Sequence, residues 1–166
     1  GDEPFYRLGG AWSFFRDGSA AMSFQDVLGH RFVPESRDEP SLGFDGAAYW
    51  ARFAVRSPDP GKAWILECAY PPLDLVEVYA GARVQRAGDS IPNREHPLPS
   101  RTYRFRLPAG AEAAVIDVRM VTEGPVHASF RIWEQGELAR RDRLDNLSYG
   151  AYFGLMGVIA LFSLAF

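Results

Sequence analysis

An all-β fold, an antiparallel β-sandwich or jelly roll followed by a C-terminal helix that begins a membrane span, is predicted by three observations. Up to about residue 135, apolar and polar residues alternate one by one in short runs. Proline and glycine punctuate those runs. Residues 147–166 then contain no charged side chain. Alternation with period two puts one face of a strand into a core and leaves the other polar, which is the pattern of antiparallel sheets that bury one side.

The elements follow in order. "AWSFFRD" and "AAMSFQDVL" each read as an edge strand, and "VLGHRFVPESRDEPSLGF" reads mostly as a loop. "YWARFAVRS" places Tyr49, Ala51, Phe53 and Val55 on one face and Trp50, Arg52 and Arg56 on the other. "AWILECAYP" sets Trp64, Leu66, Cys68 and Tyr70 against Ile65, Glu67 and Ala69. Pro71 and Pro72 interrupt the ladder, so a new strand starts near Asp74, and "RVQRAGD" returns beside "LVEVYAG" as a hairpin across Gly81. "GDSIPNREHPLPS" is a long surface loop, a place where binding function concentrates. Three further strands are predicted in "RTYRFRLPAG", "AAVIDVRMV" and "VHASFRIWE". Their inward sets are Tyr103, Phe105 and Leu107; then Ile116, Val118 and Met120; then Val126, Ala128, Phe130 and Ile132.

The character changes at Gly136. Residues 136–146, "ELARRDRLDN" within them, are strong helix formers of mixed charge and read as a linker between a sandwich over 1–135 and a span over 147–166. Twenty helical residues at 1.5 Å each reach about 30 Å, the thickness of a bilayer's hydrocarbon core. Tyr149, Tyr152 and Phe153 lie where an interfacial aromatic belt is expected, and Leu155, Ile159 and Phe162 continue the apolar anchor. Gly150, Gly154 and Gly157 suit a membrane helix better than a soluble one. The alternative is a buried helix capping the sandwich.

Composition narrows the function. With 18 basic and 21 acidic residues the net charge is −3, which gives nucleic acid no basic surface to bind, and none is expected as a partner. Lys62 is the only lysine, so the cations are almost all arginines, whose planar forks suit carboxylates and phosphates. The single Cys68 cannot close an intrachain disulfide and reads as a small core residue. His30, His96 and His127 have no short-spaced companions, and no phosphate loop or nucleophile elbow occurs. No catalytic residue, metal ligand or cofactor is therefore assigned. The start "GDEPFYRLGG" has no signal-peptide pattern and reads as a mature or trimmed chain.

The polar strand faces gather the candidate ligand-binding residues Trp50, Arg52, Arg104, Arg106, Arg131 and Trp133, with Arg119 beside them. Indole planes stack on sugar rings and guanidinium groups bind hydroxyls or carboxylates, so neighbouring strands would offer a face for a carbohydrate-like or anionic ligand. The alternative is an ordinary sheet face, its arginines paired across strands with Glu67, Glu77 or Asp117 and its tryptophans packed under loops.

The stretches "GAAYWARFAVRS", "WILECAYPPLDLVEVY", "GDSIPNREHPLPSRTYRFRLPAG" and "YGAYFGLMGVIALFSLAF", in this order over residues 22–166, resemble the second extracellular domain type of bacterial seven-transmembrane receptors with diverse intracellular signalling modules. The resemblance implies a periplasmic jelly roll similar to carbohydrate-binding modules, anchored in the bacterial inner membrane ahead of a cytoplasmic histidine kinase or diguanylate cyclase. It makes the chain a non-enzymatic sensor domain. The rival expectation is a module that forms a homodimer or docks a partner signalling protein, without a small ligand.

Overall fold

The computed structural model describes residues 5–57, 59 and 61–165, so both ends of the predicted segments, at residues 1–4 and 166, lie outside the described residues. The chain divides into two compact units, Gly1–Glu134 and Gln135–Phe166.

The first unit is a β-sandwich. Strands β1 (Phe5–Arg7), β12 (Phe130–Glu134), β6 (Trp64–Cys68) and β9 (Tyr103–Arg106) form a smaller sheet in that spatial order. The larger sheet runs β3 (Val33–Glu35), β2 (Trp12–Asp17), β5 (Ala48–Ser57), β10 (Gly110–Val121), β7 (Leu75–Ala80) and β8 (Arg83–Ala87). A short pair, β11 (Val126–His127) with β4 (Ser41–Gly43), completes it. Every pairing is antiparallel.

One core lies between the sheets. The larger contributes Trp12, Tyr49, Ala51, Phe53, Val76, Val78, Ile116, Val118 and Met120. From the smaller come Leu66, Cys68, Tyr103, Phe105 and Phe130. Apart from Trp12, Val76 and Val78, these belong to the inward sets that the alternation predicts. Each fully buried side chain of this size contributes about 1.5–3 kcal/mol relative to exposure.

Glycine enforces the backbone at two places. The β7–β8 turn has two central residues, Gly81 and Ala82, and a positive φ of 60° at Gly81 alone, as a type II′ turn requires. At Gly88, φ is 151° and a Cβ would stand 2.1 Å from the Asp74 carbonyl oxygen. The diproline break is pinned from outside: Tyr103 donates its phenolic hydrogen to the Pro71 carbonyl, and Thr122 donates to that of Pro72 at 3.3 Å. The predicted surface loop after Gly88 is also anchored, because the buried His96 ring nitrogen Nε2 lies 3.2 Å from the Gly88 carbonyl and 3.0 Å from that of Ile91.

The N-terminal third departs from expectation. "AWSFFRD" becomes β2, which is flanked by β3 and β5 and so is not an edge. The segment "AAMSFQDVL" forms no strand. Its residues Phe24–Val27 make a short helix, α1, with a reciprocal cap: Ser23 accepts from the Asp26 amide, and Asp26 accepts from the Ser23 amide at 2.9 Å. The capping box, Ser23 followed by an acid three positions on, overrides the apolar run. The predicted loop supplies strands β3 and β4.

The second unit is one helix, α2 (Gln135–Ala165), 31 residues long. The predicted linker and span are thus continuous. At 1.5 Å per residue the helix is about 46 Å long, more than the roughly 30 Å of hydrocarbon. It is long and apolar enough to cross a membrane. Tyr149, Tyr152, Phe153, Leu155, Ile159 and Phe162 are all exposed on it.

Candidate functional site

The outer face of the larger sheet is built as a ladder. Register aligns Phe15, Trp50, Arg119, Glu77 and Arg86 across β2, β5, β10, β7 and β8. Arg119 Nη1 donates to Glu77 at 3.1 Å and Arg86 Nε at 2.7 Å. In the next row Arg52 Nε donates to Asp117 at 2.7 Å. Burial pushes the Asp117 carboxyl above its ordinary range, and Arg52 opposes that only in part.

Residues 20–32 cover this ladder. Phe24 of α1 stacks on Tyr79 at 4.5 Å and lies 6.5 Å from Trp50. The Arg52 guanidinium sits 4.1 Å above Phe32, and the Ala20 carbonyl accepts from Arg119 Nη2 at 2.6 Å. Trp50 is consequently 0 % exposed. It is the centre of a second, smaller core and no open plate for a sugar.

The smaller sheet carries its own outer ladder. Arg131, Glu67 and Arg104 share one row, and Trp133, Ile65 and Arg106 share the next. Glu67 is buried; it accepts from Trp133 Nε1 and from Thr102 Oγ1, each at 2.8 Å, and its carboxylate lies 3.6 Å from Arg104 Nη2. Arg131 pairs with Glu39 at 3.1 Å, and Arg106 donates to the Pro97 carbonyl at 3.0 Å.

The six candidate residues therefore do not share one surface. Arg104, Arg106, Arg131 and Trp133 come together on the smaller sheet, whereas Trp50 and Arg52 lie on the larger. Both tryptophans are buried, and arginines meet Glu67, Glu77 and Asp117 across strands. That is the arrangement of the alternative reading.

An open concavity lies elsewhere. Where the two sheets part at one end, a cleft of about 540 Å³ runs between the inner side of the smaller sheet and the end of β5. Tyr6, Trp64 and Ile132 line it from the smaller sheet, residues 54–57 from the larger, with Leu107, Pro108, Asp59 and Lys62 at the margin. The Trp64 and Tyr6 rings are 5.7 Å apart at 58°, two tilted aromatic walls. Ser57 holds the indole in place by accepting from Trp64 Nε1 at 2.8 Å. Lys62 Nζ reaches Glu134 at 2.8 Å, which raises the ammonium's pKa. Arg56 is exposed and has no protein partner among the described residues. Beyond the Lys62–Glu134 pair, the lining also includes Arg56 and Asp59.

Alternation alone does not reveal this cleft. Trp64, Val55 and Ile132 read as core because they lie on inward faces, and only the parting of the sheets at the strand ends exposes them. The isolated lysine was the one usable signal.

Among the described residues no group of His, Cys, Asp and Glu side chains is placed to hold a metal. The model for the family described as 7TMR-DISM extracellular 2 matches residues 9–134. The chain belongs to that family. A comparison with curated proteins found no match. The family is that of an extracellular sensor domain of seven-transmembrane receptors, so a non-enzymatic role fits the fold. The match starts earlier than the resembling stretches, taking in β2, and ends at Glu134, the last residue before α2. Outside the match, helix α2 of this chain is the candidate membrane span.

Proposed function

We propose that this 7TMR-DISM domain is the periplasmic sensor of an inner-membrane receptor, binding a carbohydrate-like or anionic ligand and passing the event through α2 to a cytoplasmic histidine kinase or diguanylate cyclase. One observation carries the reading. Strand β12, whose Ile132 lines the cleft, ends at Glu134, and α2 begins at Gln135 with no intervening residue. A shift of the strand end is therefore delivered to a helix long enough to span a membrane. The ligand needs different affinities for two states of that strand to act as a signal.

Insertions in α2 test it. Adding one to four residues after Asp145 of the full-length receptor rotates everything downstream by about 100° per residue. Signalling output should rise and fall with the inserted phase; output indifferent to phase sinks the coupling.

A further inference from the structure

The cleft combines three features already described: two tilted aromatic walls, two cations (Arg56 and Lys62) in a lining that also holds Asp59, and a volume of about 540 Å³. That volume is in the range of small-molecule sites, about 300–1,000 Å³. Aromatic walls favour a ring with a flat apolar face. Among the described residues Arg56 has no carboxylate partner, while Lys62 shares a half-exposed one with Glu134. A carboxylate entering the cleft meets Arg56 directly and competes with Glu134 for the ammonium.

We propose that the cleft binds a small carboxylate with a flat ring, whose carboxylate takes the place of Glu134 on Lys62. The exchange frees the last residue of β12, the one that precedes α2. This rests on the sensor reading and names its ligand chemistry and its trigger. A sugar acid and an aryl acid present the same chemistry, so the test separates them.

The chain in detergent micelles, labelled with ¹⁵N, has four indole N–H signals, from Trp12, Trp50, Trp64 and Trp133. It is titrated with glucuronate, benzoate and neutral glucose. The Trp64 signal should move with one or both acids and not with glucose; the acid that moves it more identifies the ring type. Lys62→Gln and Arg56→Gln change exposed side chains and spare the core. Each should weaken binding about two- to five-fold, the scale of an exposed ion pair. Glu134→Gln removes the competitor and should tighten binding by a similar factor. No response to either acid overturns the proposal. So does movement of Trp50 or Trp133 in place of Trp64, or weaker binding by Glu134→Gln. If binding obeys these rules but the full-length receptor's output ignores the ligand, the site stands and the sensing role falls.

Discussion

Trp133 donates its indole hydrogen to Glu67 across the outer face of the smaller sheet at 2.8 Å, with both side chains buried. The same carboxylate accepts from Thr102 and faces Arg104. A buried charge with this many partners is costly to break, because removing it strands its donors away from water. Glu67→Ala should destabilise the sandwich by about 3–5 kcal/mol. Trp133→Phe, which keeps the packing and deletes one donor, should cost about 1–3 kcal/mol. Urea unfolding in mild detergent measures both.

Trp50 is expected to behave as a core residue. Trp50→Ala removes the ring beneath Phe24 and beside Tyr79, and should cost about 3–5 kcal/mol of stability. Normal thermal unfolding with a selective loss of ligand binding would instead make Trp50 a contact residue.

Acid sensitivity should run through Glu77. Burial pushes its carboxyl up, but hydrogen bonds from Arg86, Arg119 and Tyr79 together outweigh burial and hold it below the ordinary 4.5. A depressed folded pKa means that the unfolded chain binds the proton first as pH falls. The stability from Glu77 is thus complete above about pH 4.5 and is lost as pH drops through the folded value. Glu77→Gln should flatten the stability-versus-pH curve below pH 4.5 while lowering the plateau at neutral pH. Denaturant midpoints from pH 3 to 7 show this; an unchanged slope excludes Glu77 as the main acid sensor.

Gly88→Ala should destabilise by more than about 1 kcal/mol, since the added methyl would collide with the Asp74 carbonyl and φ is positive. The Gly88 carbonyl also faces His96. Hydrogen exchange should therefore quicken across residues 91–100 before it does in β10.

Cys68 is fully buried, and burial pushes its thiol up to about 12. Thiolate, the reactive form, is scarce at neutral pH. A membrane-impermeant maleimide should leave the native chain unlabelled, and a Glu112→Cys variant, changed at an exposed position, should label in intact cells with a permeabilised outer membrane. Label appearing only after the inner membrane is opened would put the domain on the cytoplasmic side.

The sandwich was legible where alternation was clean. Tyr49, Ala51 and Phe53, then Ile116, Val118 and Met120, point inward as their spacing requires. The second region to be read correctly was the hairpin across Gly81, whose turn chemistry is local. The segment at Phe24 was misread because its apolar residues suggested a strand, while the Ser23–Asp26 cap decided for a helix. Four of the six candidate residues proved to be neighbours on one sheet, and two belong to the other.

By itself, the sequence determined which residues face inward in β5, β6, β9, β10 and β12, where the β-rich part yields to helix, and that the last stretch suits a bilayer. These are local properties, set by a period of two residues, by helix propensity and by the absence of charge. Tertiary structure decided the rest. Strand order rests on pairings between distant segments, so it alone separates Trp50 from Trp133. Whether an outward residue meets water depends on what packs over it, as residues 20–32 do over Trp50. Whether an inward one is core or cleft depends on where the sheets part, and this is what opens Trp64 and Ile132 to a ligand beside Lys62.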